Sequence, residues 1–443
     1  AASPRGNRQP ARQAREQAGA GGLTASFNSL DDWLPWLETL SPREIVLGLE
    51  RVDAVLGVLD LPRPRLVINV AGTNGKGSSV AMLEALLRQQ GMSTGCYTSP
   101  HLSRYNERIR INGVPATDDA VMEALAAVDA ARDDVPLTFF EFGTLAALVA
   151  FAEADLDAWI LEVGMGGRLD AVNAVDPDAC LITNVALDHC AWLGDDVESS
   201  ARDKAGVMRA DTPVIFGSRD VPAAIHESAQ NLAADLRLTG RDFGFDTAAT
   251  GHWSWQGKLR TLKRLALPSL PGEWQIQNAA AVLALLESIG LLDGLDEAGA
   301  SAALAAVELP GRFQVIDERY IKDVAHNPAA ASVLAAELSV LRIPGKLTGI
   351  LGMLADKDVD GYIDALASVV DDWIAVDVDG TRAQPADRIA SPIANRTGRP
   401  CLIGGPVAEA IQFASGRADA GDYILVTGSF FVVGPALDWL ADN

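Results

Sequence analysis

The chain has 443 residues, a formal net charge of −23, 49% hydrophobic residues and only 6% aromatic ones. That length suits two or three domains with large cores, and the alanine- and leucine-rich composition suits an α/β protein. The acidic balance argues against nucleic acid or an anionic membrane as the main partner, while leaving room for a nucleotide held in a local cradle.

Residues 1–24 are rich in Ala, Arg, Gln and Gly and contain no apolar core, so they read as a disordered tail rather than a signal peptide. Leu30, Trp33, Leu34 and Leu37 predict a first helix. Ser41-Pro42 interrupts it and should start a second helix carrying Ile45, Leu47, Leu49, Val52, Val55 and Leu56. Pro62 and Pro64 end that helix. Leu66, Val67, Ile68 and Val70 then form a β-branched run suited to a buried strand.

A glycine-rich turn follows, Gly72-Thr73-Asn74-Gly75-Lys76-Gly77-Ser78, and then Val80, Leu83, Leu86 and Leu87 at helical spacing. A strand, tight turn and helix in this order aim backbone N–H groups and a helix dipole at one point, which attracts phosphate. Lys76 adds a charge for the outer phosphates, and Ser78 or Ser79 a hydroxyl within reach of Mg²⁺. The loop is not a standard Walker A, because Val70 stands where that pattern has its first glycine and Gly77 separates Lys76 from Ser78.

Strand–helix alternation continues. A strand before Ser99-Pro100-His101-Leu102, helices over 117–133 and 138–151, and strands over 158–163, 179–185 and 213–216 are expected. The charges at Arg104, Glu107, Arg108 and Arg110 read mostly as a solvated face. The apolar run 142–163 is broken by Glu153, Asp155 and Asp157 and is no membrane span. Polar groups follow three successive strands: Ser99, Glu162 and His189. Ligands of open parallel sheets gather at that end of the strands, and a buried Glu162 needs a cation or several donors. Cys96, Cys180, Cys190 and Cys401 form no C-x-x-C pair, which fits a reduced cytoplasmic protein, and adjacent His189 and Cys190 make a poor zinc pair.

Residues 240–272 read as a small β excursion and 277–290 as an alanine-rich helix. After a linker at 309–312 the alternation restarts, with strands near 313–317, 320–325, 347–352, 373–379, 400–403 and 422–427. The expected organisation is a tail (1–24), an ATP-binding unit (25–308), a linker (309–312) and a second α/β unit (313–443). The fold class is α/β: an N-terminal P-loop NTPase-like domain with a mostly parallel sheet, and a C-terminal Rossmann-like domain.

The segments GLERV (48–52), AGTNGKGSS (71–79), SPHL (99–102), ERIRING (107–113), FEFGTLAAL (140–148), LEVGMGGRLDA (161–171), TNVALDH (183–189), DKAGVMR (203–209), LPGRFQ (309–314), DVAHNP (323–328), the DKD of 356–358 and GSF (428–430) together resemble the folylpolyglutamate synthase family, within the Mur ligase superfamily, from about residue 30 to the end. The resemblance points to the bifunctional dihydrofolate synthase/folylpolyglutamate synthase branch. Its members use ATP to turn a pteroate or folate carboxylate into an acyl phosphate, which the amine of L-glutamate attacks. A single-activity folylpolyglutamate synthase, a Mur-type peptidoglycan ligase and a nucleotide-dependent switch are the alternatives.

Carried over by position, the resemblance implies that Thr73, Asn74, Gly75, Lys76, Gly77 and Ser78 hold ATP phosphates, with Asn278, Arg312 and Asp323 on the rest of the nucleotide. It implies two Mg²⁺ ions on Ser99, Glu162, His189 and a carbamylated Lys204. Lys76, His189, Lys204 and His326 would serve the chemistry, His326 from the glutamate side. Glu44, Ile45, Val46 and Leu47, Thr138, Phe139, Phe140 and Glu141, and Leu169, Asp170 and Ala171 match pteroate-binding segments. The implied partners are L-glutamate and dihydropteroate or folate, with no nucleic acid and no membrane, in a cytoplasmic monomer. Lys322 stands where the family has an apolar strand residue and is expected to face solvent at a sheet edge.

Overall fold

The computed structural model describes residues 27–442 except 42–44, 195, 249, 250, 379 and 381, and not the side chains of Cys190 and Ala191. The expected tail and Glu44 therefore lie outside the described residues. Three sheets organise the described residues.

The first has eight strands: β1 (Leu66–Ala71), β2 (Thr94–Tyr97), β3 (Ile109–Ile111), β4 (Val114–Pro115), β5 (Ala158–Glu162), β6 (Ala179–Ile182), β7 (Pro213–Phe216) and β8 (Asp235–Leu238). Their spatial order is β4-β3-β2-β5-β1-β6-β7-β8. Every pairing from β2 to β8 is parallel, and only β3 and β4 run against their neighbours. All six residues of β1 are buried, as a central strand covered on both faces requires.

Side chains alternate between two cores. Val67 and Ala71 face the helices Leu30–Thr39, Glu50–Leu59, Asp118–Arg132 and Phe139–Glu153, whereas Leu66, Ile68 and Val70 face Lys76–Gln89, Glu273–Ser288 and Glu297–Ala305. Caps fix several starts: Thr117 accepts from Ala120 N–H, and Thr138 with Glu141 forms a reciprocal box.

The excursion after β8 is a three-stranded antiparallel sheet, β9 (Gly244–Ala248), β10 (His252–Gln256) and β11 (Thr261–Ala266). Its buried Trp255 donates from the indole N–H to the Ala280 carbonyl at 3.0 Å, tying the sheet to the alanine-rich helix.

The third sheet contains β12 (Gln314–Ile316), β13 (Tyr320–Asp323), β14 (Leu347–Leu351), β15 (Asp372–Ala375), β16 (Cys401–Ile403) and β17 (Tyr423–Thr427), ordered β12-β13-β17-β14-β15-β16. Its five consecutive strands from β13 to β16 are parallel and β12 is antiparallel. Helices cover both faces, which gives the Rossmann-like layering expected.

Two expectations are corrected. The second helix begins at Glu50, and Ile45–Gly48 has no regular structure. Apolar spacing alone does not see that Gly48 takes φ +145 and that the Val46 carbonyl accepts from Arg51 instead of from a helix.

Lys322 does not face solvent. It is fully buried, because β13 lies inside the sheet between β12 and β17. The residues directly beside it are Gln314 on β12 and Val426 on β17, the latter on the face that carries Ile424 and Val432. Its Nζ has no hydrogen-bond partner among the described residues. Burial pushes its amine down to about 8, against a weaker pull from Asp317.

Candidate active site

The carboxyl ends of β1, β5 and β6 open onto a cavity of about 530 Å³. The phosphate loop forms one wall. Gly72 takes φ +140, and a Cβ there would lie 1.9 Å from Thr183 Oγ1, so only glycine fits. Gly75, at φ +83, is the N-cap of a helix that begins at Lys76, three residues earlier than the apolar spacing implies.

The loop is braced from the end of β6. Asn184 Oδ1 accepts from Asn74 N–H at 3.1 Å while its Nδ2 donates to the Asn74 carbonyl at 2.8 Å. Thr73 Oγ1 donates to the Ala186 carbonyl at 3.1 Å and accepts from Ala186 N–H at 3.0 Å. Lys76 folds back, its Nζ donating to the carbonyls of Gly72 at 3.0 Å and Thr73 at 3.3 Å. Burial lowers its pKa, opposed by Glu162 and Asp188.

Glu162 ends β5 and is 4% exposed. Burial raises its pKa, while Lys76 and Arg312 pull it back. The backbone N–H of Ser99 points at its Oε2 from 3.4 Å. A Cβ at Gly77 would lie 3.6 Å from Glu162 Oε2 and 3.7 Å from Arg312 Nη2, so a longer side chain would occupy the space between them.

Lys204 is 2% exposed and donates to Ser200 Oγ at 2.8 Å. Burial first, and then the charge of Lys76, bring its amine down to about 8. The His189 ring is pushed down to about 4 by burial and by Lys357, and its buried Nδ1 has no hydrogen bond among the described residues and stands 3.6 Å from Asp356.

The opposite wall comes from the third sheet and the residues just before it. Arg312 lies over the Phe430 ring at 5.2 Å. Asp323 accepts from the N–H groups of Phe313 and Ala325, both at 2.8 Å; burial raises its pKa against the Arg312 charge. His326 is oriented by the Val324 carbonyl at 2.9 Å and stands 3.5 Å from Asp188.

Direct bonds join the walls. Asn74 and Asn327 exchange amide hydrogen bonds of 3.3 and 3.0 Å. Asp188 accepts from Lys357 Nζ at 2.6 Å and Asn327 Nδ2 at 3.2 Å. Burial alone would raise the Asp188 pKa, but the bond to His326 and the charges of Lys357 and His189 hold it far below the usual carboxylate range.

Thr73, Asn74, Gly75, Lys76, Gly77, Ser78, Ser99, Glu162, His189, Lys204, Asn278, Arg312, Asp323 and His326 all line this one cavity. The pteroate-type segments do not line it; they lie behind Gly164, where the Phe140 ring closes within 2.5 Å of an added Cβ. Asp170 is buried there and accepts from Met165 and Val172 N–H at 2.9 and 3.0 Å; burial pushes its carboxyl up to about 7 against those bonds.

Sequence reading missed three contributors. Asp188 precedes His189 and carries the cross-wall bonds. Lys357 sits in the DKD segment, which had been noted without a role. The charges from Arg104 to Arg110 read mostly as a solvated face, and Arg108 does not belong to it. It is instead 9% exposed, donates to His101 Nδ1 at 2.8 Å and lies 5.6 Å from the centroids of both Tyr105 and Phe139. Burial and Arg108 bring His101 down to about 4.

Among the described residues no three His, Cys, Asp or Glu side chains converge as a metal cluster. A divalent ion here would rely on the Ser99 hydroxyl and on Lys204 as well as Glu162 and His189. The oxygens of Ser99 and Glu162 with one imidazole suit Mg²⁺ or Mn²⁺, and the buried Glu162 and a His189 Nδ1 without a hydrogen bond among the described residues fit that use.

A Mur ligase middle domain profile matches residues 70–286, and a Mur ligase glutamate ligase domain profile matches residues 311–430. The chain is 41% identical over 413 residues to the dihydrofolate synthase/folylpolyglutamate synthase of Escherichia coli (strain K12), covering 92% of this chain and 95% of that protein. The chain belongs to the dihydrofolate synthase/folylpolyglutamate synthase family. The Mycobacterium tuberculosis member is 34% identical over 447 residues, with 90% and 91% of the two chains covered.

The fold agrees. Escherichia coli FolC in complex with DHPP and ADP superposes with a TM-score of 0.89 at 40% identity, over 95% of this chain and 99% of that one. The Yersinia pestis bifunctional folylpolyglutamate synthase/dihydrofolate synthase complexed with AMPPNP and Mn superposes at 0.86 and 40% identity, over 95% and 100%. A further bifunctional structure, with Mn, AMPPNP and L-glutamate bound, gives 0.87 at 40% identity, over 94% and 100%.

Proposed function

We propose that this chain is an ATP-dependent carboxylate–amine ligase that joins L-glutamate to 7,8-dihydropteroate and to tetrahydrofolates. One observation carries the reading. A phosphate loop with Lys76, a buried acid and an imidazole from one sheet share a single cavity with Arg312, Asp323 and His326 from the other. Such a cavity brings two anions together and neutralises them, which is most of what phosphoryl transfer needs.

The acceptor carboxylate oxygen attacks the γ-phosphorus, the β–γ bridging bond breaks, and ADP leaves. The glutamate amine then adds to the acyl carbon and loses a proton. The carbon–oxygen bond to phosphate breaks, leaving amide and phosphate.

Thr73 to Ser78 cradle the phosphates, and Lys76 exchanges its own loop carbonyls for phosphate oxygens. Asn278, Arg312 and Asp323 hold the rest of the nucleotide from both walls. Ser99, Glu162, His189 and a carbamylated Lys204 would hold Mg²⁺, which supplies charge neutralisation on the phosphate oxygens. An amine near 8 has enough neutral fraction to add to CO₂, and the carbamate turns a repelling cation into an oxygen donor. His326 stands on the glutamate side. The acceptor lies along Ile45–Leu47, Thr138–Glu141 and Leu169–Ala171. Residues 25–308 act as the ATP-binding unit, 309–312 as linker and 313–443 as the closing unit.

We place the enzyme in the cytoplasm. Cys96, Cys180 and Cys401 are free thiols, and no helix among the described residues is long and apolar enough to cross a membrane.

The test is ADP release by purified protein with Mg²⁺, ATP and L-glutamate. Release should require dihydropteroate or tetrahydrofolate. Release with neither acceptor above background refutes the reading, and a rate with tetrahydrofolate alone leaves the single-activity alternative.

A further inference from the structure

Arg51 lies in the first turn of the helix Glu50–Leu59, outside the cavity described above. Its guanidinium makes three bonds. Nη2 donates to Glu141 Oε1 at 2.5 Å and to the Val46 carbonyl at 2.8 Å, and Nε donates to Glu141 Oε2 at 3.2 Å. Glu141 is 4% exposed and also accepts from Thr138 N–H at 2.8 Å, closing the cap of the next helix. The Ile45–Gly48 segment has no ladder or helix to satisfy its backbone. Its described tethers are the Val46 carbonyl on Arg51 and the Gly48 N–H on the Leu169 carbonyl at 3.3 Å.

One side chain thus joins Ile45–Gly48 to the N-terminus of the Phe139–Glu153 helix, and Gly48 joins the same segment to Leu169. These are the three segments read above as the acceptor site, and the inference rests on that reading. We propose that Arg51 is the positioning residue of the acceptor site: it fixes the gap between the Ile45–Gly48 segment and Thr138–Glu141 before the acceptor arrives.

The physical case is preorganisation. An irregular segment held by a planar two-pronged donor loses little further entropy when an aromatic ligand lies against it. Without the fork the segment must be ordered by the ligand itself, and Glu141 becomes a buried charge without its cation. The cost falls on acceptor binding. The phosphate loop, Glu162 and Lys204 make no bond to Arg51, so nucleotide handling is untouched.

The experiment is steady-state kinetics on Arg51→Met, Arg51→Lys and the double variant Arg51→Met/Glu141→Gln, with thermal melts of each. Arg51→Met should raise the KM for dihydropteroate about 10- to 100-fold, with kcat and the KM for ATP within about threefold of wild type. Arg51→Lys keeps the charge but not the fork and should fall between. The double variant removes the stranded carboxylate charge, so it folds even if the single variant does not, and it should keep the raised KM. A wild-type acceptor KM in the double variant overturns the proposal. So does a loss shared equally by kcat and the KM for ATP. Absence of acceptor-dependent ADP release in the unmodified protein would instead refute the ligase reading itself.

Discussion

Lys322→Met should stabilise the unit built on the third sheet. Among the described residues the ammonium has no hydrogen-bond partner; its strand neighbours are Gln314 and Val426, and the core on that face is aliphatic. Moving its pKa from 10.5 to about 8 corresponds to at most about 3.4 kcal/mol of preference for the neutral amine. Methionine is unbranched, of similar length and carries no charge, so it can fill the same slot with little repacking.

The sign of the pH dependence follows from proton counting. The unfolded lysine keeps its proton up to about 10.5, whereas the folded one releases it near 8. Between those values the unfolded chain binds more protons, so wild-type stability rises with pH through this group. Below about 8 the penalty is fully present. The advantage of Lys322→Met should therefore be about 2–3 kcal/mol at pH 7 and shrink toward zero above pH 10. Urea melts of wild type and variant at pH 7 and pH 10 measure it. A variant no more stable than wild type at pH 7, or a gain that does not shrink by pH 10, would refute the argument.

Three other outcomes are expected. Lys76→Ala should lower kcat at least about 10³-fold with an unchanged circular dichroism spectrum, since Lys76 is the only Lys or Arg from Gly72 to Ser79; retained turnover would count against the whole assignment. Asp188→Asn leaves Lys357, itself 5% exposed, without its anion, and should cut kcat/KM on the order of 100-fold and lower the melting temperature; unchanged values would show that the cross-wall bonds are incidental. Dialysis against a chelator should stop ADP release, and Mn²⁺ should restore it. In CO₂-free buffer, and in Lys204→Ala, Mn²⁺ affinity measured by electron paramagnetic resonance should fall about tenfold from that of the unmodified protein in bicarbonate buffer, on the order of the loss when a metal site is deprived of a supporting group; an affinity unchanged in both would dismiss the carbamate.

Local pattern made much of this protein readable. The strand–turn–helix of 66–88 needs only neighbouring residues, because backbone N–H direction, glycine freedom and apolar period are properties of a short window. The same holds for Ser99, Glu162 and His189, since polar residues after buried parallel strands arrive at one edge. All six strands of the third sheet lie where the alternation put them. The Ile45–Leu49 helix failed for the opposite reason. Its apolar spacing is helical, but its backbone bonds go to Arg51 and Leu169.

What the chain settles alone is therefore the α/β alternation, the phosphate loop and the polar strand ends. Their chemistry is written within a few residues of each other. What only the folded molecule decides depends on which strands become neighbours. Lys322 is buried because β12 pairs outside β13. Asp188 is gripped by Lys357 from 169 positions away, and Asn74 by Asn327 from 253. Arg51 meets Glu141 across 90. No short window contains both partners of such a bond, so the identity of the residue can be read early but its role appears only when the two sheets face each other.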